Sequence, residues 1–236
     1  MLAQTAIRNA ATANPANPAH KVPALPQRAF DDQADALAQQ MQLMGAVMSY
    51  PRNAEIFGDD EPADYLYKVV RGAVRTYKIL SDGRRQVGGF YLPGDIFGLE
   101  FASEHTLSAE AISDAKVLVV KRNALSALAG RDAAIGRELY ALTGRELRRV
   151  QERILFLIKS AQERVASFLL EMAERVPAGH AIELPMSRQD IADYLGLTIE
   201  TVSRTLSALE SAAAIAVPTS RRIVLRNVSA LDRMHG

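Results

Sequence analysis

The chain has 236 residues and a mass of 25.7 kDa, which at roughly 150 residues per domain sets a prior of one to two domains. Hydrophobic residues make up 48%, charged residues 23%, and the net charge is +1; wholesale disorder is disfavoured, and any nucleic-acid site must be local because the overall basic excess of a non-specific coating protein is missing. There is no Cys, which excludes disulfides, thiolate catalysis and cysteine-ligated metal or iron–sulfur clusters, and fits a reducing cytoplasm as the expected compartment.

Residues 1–28 read as a flexible tail. Residues 1–24 hold eight Ala and three Pro, with no compact apolar core of about 7–15 residues, so a signal peptide is not indicated. Pro15, Pro18, Pro23 and Pro26 are separated by small residues, and such a segment buries too little apolar area to offset its ordering entropy. No apolar run approaches the ~20 residues of a membrane span.

Residues 29–130 are assigned to a β-roll. Tyr65, Tyr67, Val69 and Val70 lead to Gly72; Val74, Tyr77, Ile79 and Leu80 follow, then Asp82-Gly83. Val87, Phe90 and Tyr91 precede Pro93-Gly94-Asp95. Short β-rich runs between Gly and Pro signals predict a small antiparallel barrel or roll. Asp82-Gly83 predicts a hairpin turn, because Gly accepts a positive φ without steric cost. Val117, Leu118, Val119 and Val120 read as a closing strand.

Residues 131–160 switch to helical period. Ile135, Leu139 and Leu142 step by four and three; Leu147, Val150, Ile154, Leu157 and Ala161 step by three and four. One extra residue separates the two runs, so the stripe is not a strict heptad. Residues 121–159 hold nine basic and four acidic residues, which suits the solvated face of a long helix. A long amphipathic helix needs cover for its apolar stripe. The candidates are its own domain or a second chain, and the second chain is preferred. Ile135, Leu139, Leu142, Leu147, Val150, Ile154 and Leu157 are then the dimerisation residues.

Residues 161–236 form a second unit. Val165, Phe168, Leu169 and Met172 mark one helix, Pro177-Ala-Gly179 ends it, and Ile182-Glu-Leu184 reads as a short strand. The sharpest signal follows, from Ser187 to Leu206. Ser187 is a good N-cap, with Asp190 three residues later as a weaker relative of the capping box. Ile191 and Leu195 share a face, Gly196 permits a tight turn, and Thr198 caps a second helix whose buried face is Val202, Leu206 and Leu209. Two short helices joined by a Gly-containing turn are a helix-turn-helix, whose second helix enters the DNA major groove.

On the opposite face stand Ile199, Glu200, Ser203 and Arg204. Arg can bond guanine O6 and N7 bidentately, Glu can accept from cytosine N4, and Ile can touch a thymine methyl. An ordinary surface ion pair is the alternative for Glu200 and Arg204. Ser187, Arg188 and Thr198 are candidate phosphate contacts, and Thr201 and Thr205 either bond phosphate or fill the helix edge. Ser220-Arg221-Arg222 lies in a hairpin at 217–226 that reads as a wing, with Arg221 and Arg222 as further backbone contacts that position without specifying sequence.

Together these residues resemble the CRP/FNR superfamily of transcription regulators, over about residues 50–230. Leu195-Gly-Leu-Thr-Ile-Glu-Thr-Val-Ser-Arg204 is similar to the recognition helix of the FNR and FixK branch. Tyr67-Lys-Val-Val-Arg-Gly-Ala-Val-Arg75 and Pro93-Gly-Asp-Ile-Phe-Gly98 resemble that family's β-roll. The resemblance implies an α+β protein: an N-terminal antiparallel β-roll of the cyclic-nucleotide-binding kind, a long dimerisation helix and a C-terminal winged helix-turn-helix. It implies a homodimeric, DNA-binding regulator, an activator with RNA polymerase as a partner, and half-sites like TTGA facing TCAA in an inverted repeat. Arg204 is then the candidate for the guanine, Glu200 for the paired strand's amino group, and Ile199 and Ser203 for the thymines.

Members that bind cyclic AMP carry an Arg-Ser pair that holds the cyclic phosphate. Here the matching residues are Leu107-Ser108, after Gly98-Leu99-Glu100, and a phosphate without a guanidinium loses its main partner. The four His, at 20, 105, 180 and 235, are scattered, and no metal spacing is present. The expectation is a regulator with no cofactor, no metal and no small effector; the alternative is a cyclic-nucleotide-gated regulator or sensor module. An enzyme is disfavoured: no Walker-type Gly-Lys-Ser/Thr occurs, and Gly88-Gly89 lacks the spacing of a dinucleotide loop.

Overall fold

The computed structural model describes residues 28–100, 102–175 and 181–235. The tail expected over 1–28 lies outside them, save Arg28. That residue opens a helix, α1 (Arg28–Met44), at the start of the stretch assigned to the roll. The segment has no Gly or Pro and is rich in Ala, Gln, Leu and Met, all good helix formers. Leu37 and Met41, one turn apart, are buried among Leu66, Leu118 and Val120 of the roll.

Among the described residues the roll has eight strands: β1 (Ala46–Tyr50), β2 (Glu55–Phe57), β3 (Tyr65–Arg71), β4 (Val74–Ile79), β5 (Arg85–Tyr91), β6 (Ile96–Phe97), β7 (Ser108–Ala111) and β8 (Ala115–Lys121). They form two antiparallel sheets, ordered β1-β8-β3-β6 and β2-β7-β4-β5. Phe57, Tyr67, Val69, Phe97 and Val117 fill the space between them. The Asp82-Gly83 turn joins β4 to β5, with Gly83 at φ +82°, and the closing strand over 117–120 is the centre of β8.

Helix α2 (Arg122–Ala129) leads to α3 (Ala133–Ile154), whose first turn is capped by Asp132 accepting from Ala134 and Ile135 N–H. A 3₁₀ turn (Leu155–Ile158) follows, then α4 (Ala161–Arg175). The single stripe expected from 135 to 161 is therefore interrupted. Ser160 and Glu163 form a reciprocal capping box, Ser160 N–H to Glu163 Oε2 at 2.6 Å and Glu163 N–H to Ser160 Oγ at 3.3 Å, which starts a new helix.

The expected dimer seam divides as well. Ile135 and Leu142 are buried against α1 and the roll, and Leu139 packs on the same cluster; these three serve the protein's own core, a correction to the seam assignment. Leu147, Val150 and Ile154 are 58%, 54% and 59% exposed. Tyr140, 83% exposed, lies one heptad before Leu147, which lies one heptad before Ile154. The extra residue between the two runs thus marks a change of face: one stripe looks inward, and Tyr140, Leu147, Val150 and Ile154 look outward in heptad register. The side chain of Leu157 lies outside the described ones.

The C-terminal unit adds β9 (Ala181–Glu183), α5 (Arg188–Leu195), α6 (Ile199–Ser211), β10 (Ile215–Ala216), β11 (Arg222–Leu225) and α7 (Val228–His235). The strands form a sheet ordered β10-β11-β9. Phe168, Ile191, Val202, Leu209, Ile223 and Leu231 share one core. That core continues into the roll through Val87 and Phe90 of β5, with the Phe90 and Tyr194 rings 5.1 Å apart.

Candidate nucleic-acid interface

Local sequence builds the helix-turn-helix. Asp190 N–H donates to Ser187 Oγ at 3.1 Å and Ser187 N–H donates to Asp190 Oδ2 at 2.9 Å, so the capping box is complete despite Asp at its third position. Gly196 takes the left-handed conformation at φ +64°, and Leu197 N–H closes back on Ala192 O at 3.0 Å, ending α5 sharply. Thr198 Oγ1 accepts from Thr201 N–H at 3.2 Å and caps α6.

α6 then presents two faces. Val202, Leu206 and Leu209 are buried. Ile199, Glu200, Ser203 and Arg204 are exposed together on its first two turns. No ion pair within 4.0 Å joins Glu200 to Arg204 among the described residues, so the guanidinium is not held by the carboxylate one turn before it. Hydrogen bonds from its own backbone N–H and from the Thr198 hydroxyl hold the Glu200 carboxyl below the usual range; it presents an acceptor.

The candidate phosphate contacts are less uniform. Thr205 is 9% exposed, since it falls beside Val202, Leu206 and Leu209 on the helix; it faces protein, and its assignment to the DNA backbone is corrected. Thr201 and Thr198 hydroxyls lie 3.1 Å apart. Ser187 Oγ is engaged by Asp190. Arg188 is half-buried, with Nη1 enclosed and making no hydrogen bond among the described residues, and burial lowers its pKa. On the wing, Thr219 Oγ1 accepts from Arg222 N–H at 3.0 Å and shapes the loop that carries Arg221 and Arg222; Arg222 is exposed and Arg221 partly so. Sequence reasoning did not single out Thr219, although a Thr two to three residues before the strand is a turn signal.

Sequence reasoning also missed what lies behind α5. Arg75 of β4 and Arg85 of β5 both reach Asp190 Oδ1 at 2.7 Å. Separations above 100 residues leave no local pattern to find them by.

The roll contains the segment where a cyclic phosphate would be sought. A Cβ on Gly88 would stand 2.6 Å from Leu107 Cδ1 and 2.9 Å from Thr76 Oγ1, so Leu107 packs closely on β5. Glu100 Oε2 lies 3.3 Å from His105 Nδ1 and 3.9 Å from Arg122, and the His105 ring stacks on Phe57 at 3.6 Å. No group of three or more potential metal ligands occurs among the described residues, and no described helix is long and apolar enough to cross a membrane.

Comparison with known proteins agrees with this architecture. Residues 47–132 match the cyclic nucleotide-binding domain family, and residues 163–234 match the Crp-like helix-turn-helix domain family. The chain is 50% identical over 209 residues to the nitrogen fixation regulation protein FixK of Azorhizobium caulinodans, covering 86% of this chain and 84% of that one. It is 40% identical over 165 residues to the transcriptional activatory protein AadR of Rhodopseudomonas palustris, covering 68% and 69%. The solved structure of FixK2 from Bradyrhizobium japonicum superposes with a TM-score of 0.79 at 52% identity, over 82% of this chain and 98% of that one. These names are those of regulators. The chain belongs to the CRP/FNR family of DNA-binding transcription regulators, in its FixK-like branch.

Proposed function

We propose that the protein is a homodimeric activator that reads a TTGA-type inverted repeat without a small-molecule effector. The observation that carries this reading is the joint exposure of Ile199, Glu200, Ser203 and Arg204 on α6, opposite its buried face, with chemistry suited to base edges. Arg188, Thr198, Thr201, Arg221 and Arg222 are assigned to the DNA backbone, and Ser187 supports them by capping α5. Dimerisation is supported by the outward stripe of Tyr140, Leu147, Val150 and Ile154, an apolar heptad seam left open in one chain. The activator role follows the name of AadR, and makes RNA polymerase the second partner, in the cytoplasm.

Effector independence is supported by Leu107, which stands where a phosphate-binding Arg is expected and packs against Gly88. The match to a cyclic nucleotide-binding domain favours a second reading, a cyclic-nucleotide-gated regulator. Selection of bound sequences from random duplex DNA, with and without cyclic AMP, tests both. A TTGA and TCAA inverted repeat recovered equally in both pools is expected. Recovery only with the nucleotide supports the gated reading, and no shared sequence in either pool overturns operator recognition.

A further inference from the structure

The segments matched to the two domain families, 47–132 and 163–234, meet at a junction that neither match describes. Arg75 is only 8% exposed. Its Nη1 donates to Asp190 Oδ1 at 2.7 Å, and its Nη2 donates to both oxygens of Glu110 at 3.0 Å. Arg85 donates from Nη2 to the same Asp190 oxygen at 2.7 Å and from Nε to Asp193 Oδ2 at 2.8 Å. Gln86 Nε2 donates to Asp193 O at 2.6 Å. The second Asp190 oxygen is meanwhile taken by the Ser187 N–H and hydroxyl, at 2.9 and 2.7 Å. One carboxylate therefore closes the N-terminus of α5 and receives two guanidinium groups from the roll. The last turn of α3 enters the same junction. Arg153 donates to Val87 O at 2.9 Å and to Gly88 O, with its guanidinium carbon 4.6 Å from the centre of the Tyr194 ring.

We propose that Arg75 and Arg85 are positioning residues for DNA binding: they hold α5, and with it α6, at one angle to α3. The inference rests on the reading of the protein as a dimer at an inverted repeat. Charge-assisted bonds with fixed directions set orientation, whereas an apolar contact alone permits sliding. A buried ion pair also penalises any arrangement that leaves one of its charges unpaired. The junction does not mask the reading face, because Glu200, Ser203 and Arg204 stay exposed while every one of these bonds is made. It therefore positions and does not inhibit. Two recognition helices fixed at one angle to a shared seam have one separation, and the length of the spacer between half-sites is what they measure.

The test uses full-length wild type, Arg75→Gln, Arg75→Lys and Arg85→Ala. Each is titrated with duplexes carrying the inverted repeat at its best spacer and at one base pair more or less. Wild type is expected to prefer the best spacer at least tenfold. Arg75→Gln and Arg85→Ala are expected to compress that preference at least threefold, with Arg75→Lys keeping more of it than Arg75→Gln. A variant that merely loses folded protein lowers all three affinities by one factor and keeps the preference. An unchanged preference in Arg75→Gln and Arg85→Ala, both folded by circular dichroism and dimeric by sedimentation, overturns the proposal. Should Arg75→Gln not fold, Arg85→Ala, nearer the surface, decides it. Wild type that favours no inverted repeat at any spacer overturns the operator reading itself, and the positioning role falls with it.

Discussion

Asp190 Oδ1 lies 2.7 Å from Arg75 Nη1 across 115 residues of sequence, so the residue that completes the cap of α5 is also the one that ties the helix-turn-helix to the β-roll. The two roles differ in energetic scale. Ser187→Ala removes a cap, at a cost of about 1 kcal/mol. Asp190→Ala removes the cap and also leaves the buried Arg75 Nη1 without its acceptor, while Glu110 keeps Arg75 paired and Asp193 keeps Arg85 paired, at a further cost of about 1–3 kcal/mol. Urea denaturation of both variants is expected to show this order; equal losses would mean the pair with Arg75 adds nothing.

The two faces of α3 predict opposite outcomes for one type of substitution. Ile154→Glu places a charge on the outward stripe, so sedimentation is expected to show a monomer with an intact fold and weakened operator binding. Ile135→Glu places the same charge in the core beside α1 and is expected to abolish folding. An unchanged mass and DNA affinity in Ile154→Glu would remove that residue from the seam.

Base reading and backbone contact separate in titrations against altered operators. Arg204→Ala is expected to cost about 1–3 kcal/mol per half-site and to relax preference at the guanine. Arg221→Ala is expected to weaken all sequences alike and to flatten the salt dependence. If Arg204→Ala lowers every affinity equally, its guanidinium touches phosphate.

On the proposed reading, in which Leu107 stands where the family resemblance expects a phosphate-binding Arg, cyclic AMP is expected to leave both the melting temperature and the operator affinity unchanged. A thermal-shift series and a gel-shift titration check this together. A tenfold gain in affinity, ~1.4 kcal/mol, would place an effector in the roll.

Alkaline pH offers a check on the junction. Burial, and then the Glu171 carboxylate beside it, raise the Tyr194 phenol above its ordinary value; its hydroxyl donates to Glu171 Oε2 at 3.3 Å. The neutral ring is thus favoured in the fold. Its contribution is complete below the unfolded pKa of about 10 and declines as pH rises through the folded value. Denaturation midpoints above pH ~10 are expected to fall less steeply for Tyr194→Phe than for wild type; parallel curves would exclude Tyr194 as a source of the alkaline loss.

The recognition unit was legible in the sequence because its determinants are local. Ser187 with Asp190, Gly196 after Leu195, and Thr198 with Thr201 act over one to three residues, and the buried face of α6 follows from helical period alone. The Asp82-Gly83 hairpin was legible for the same reason. Two further local signals were present and unread: the Ser160–Glu163 box that divides α3 from α4, and the helix formers of α1 between Arg28 and Met44.

Other features belong to the tertiary structure. Periodicity places Ile135, Leu142, Leu147 and Ile154 on apolar stripes but cannot say what covers each stripe; α1 and the roll decide that the first two are core and leave the last two open. Thr205 is a polar residue whose burial depends on where the core meets the edge of α6. The pairing of Arg75 and Arg85 with Asp190 has no local trace, since charges more than 100 residues apart acquire a partner only when the chain closes on itself, and their value arises from the exclusion of water that the closed fold imposes.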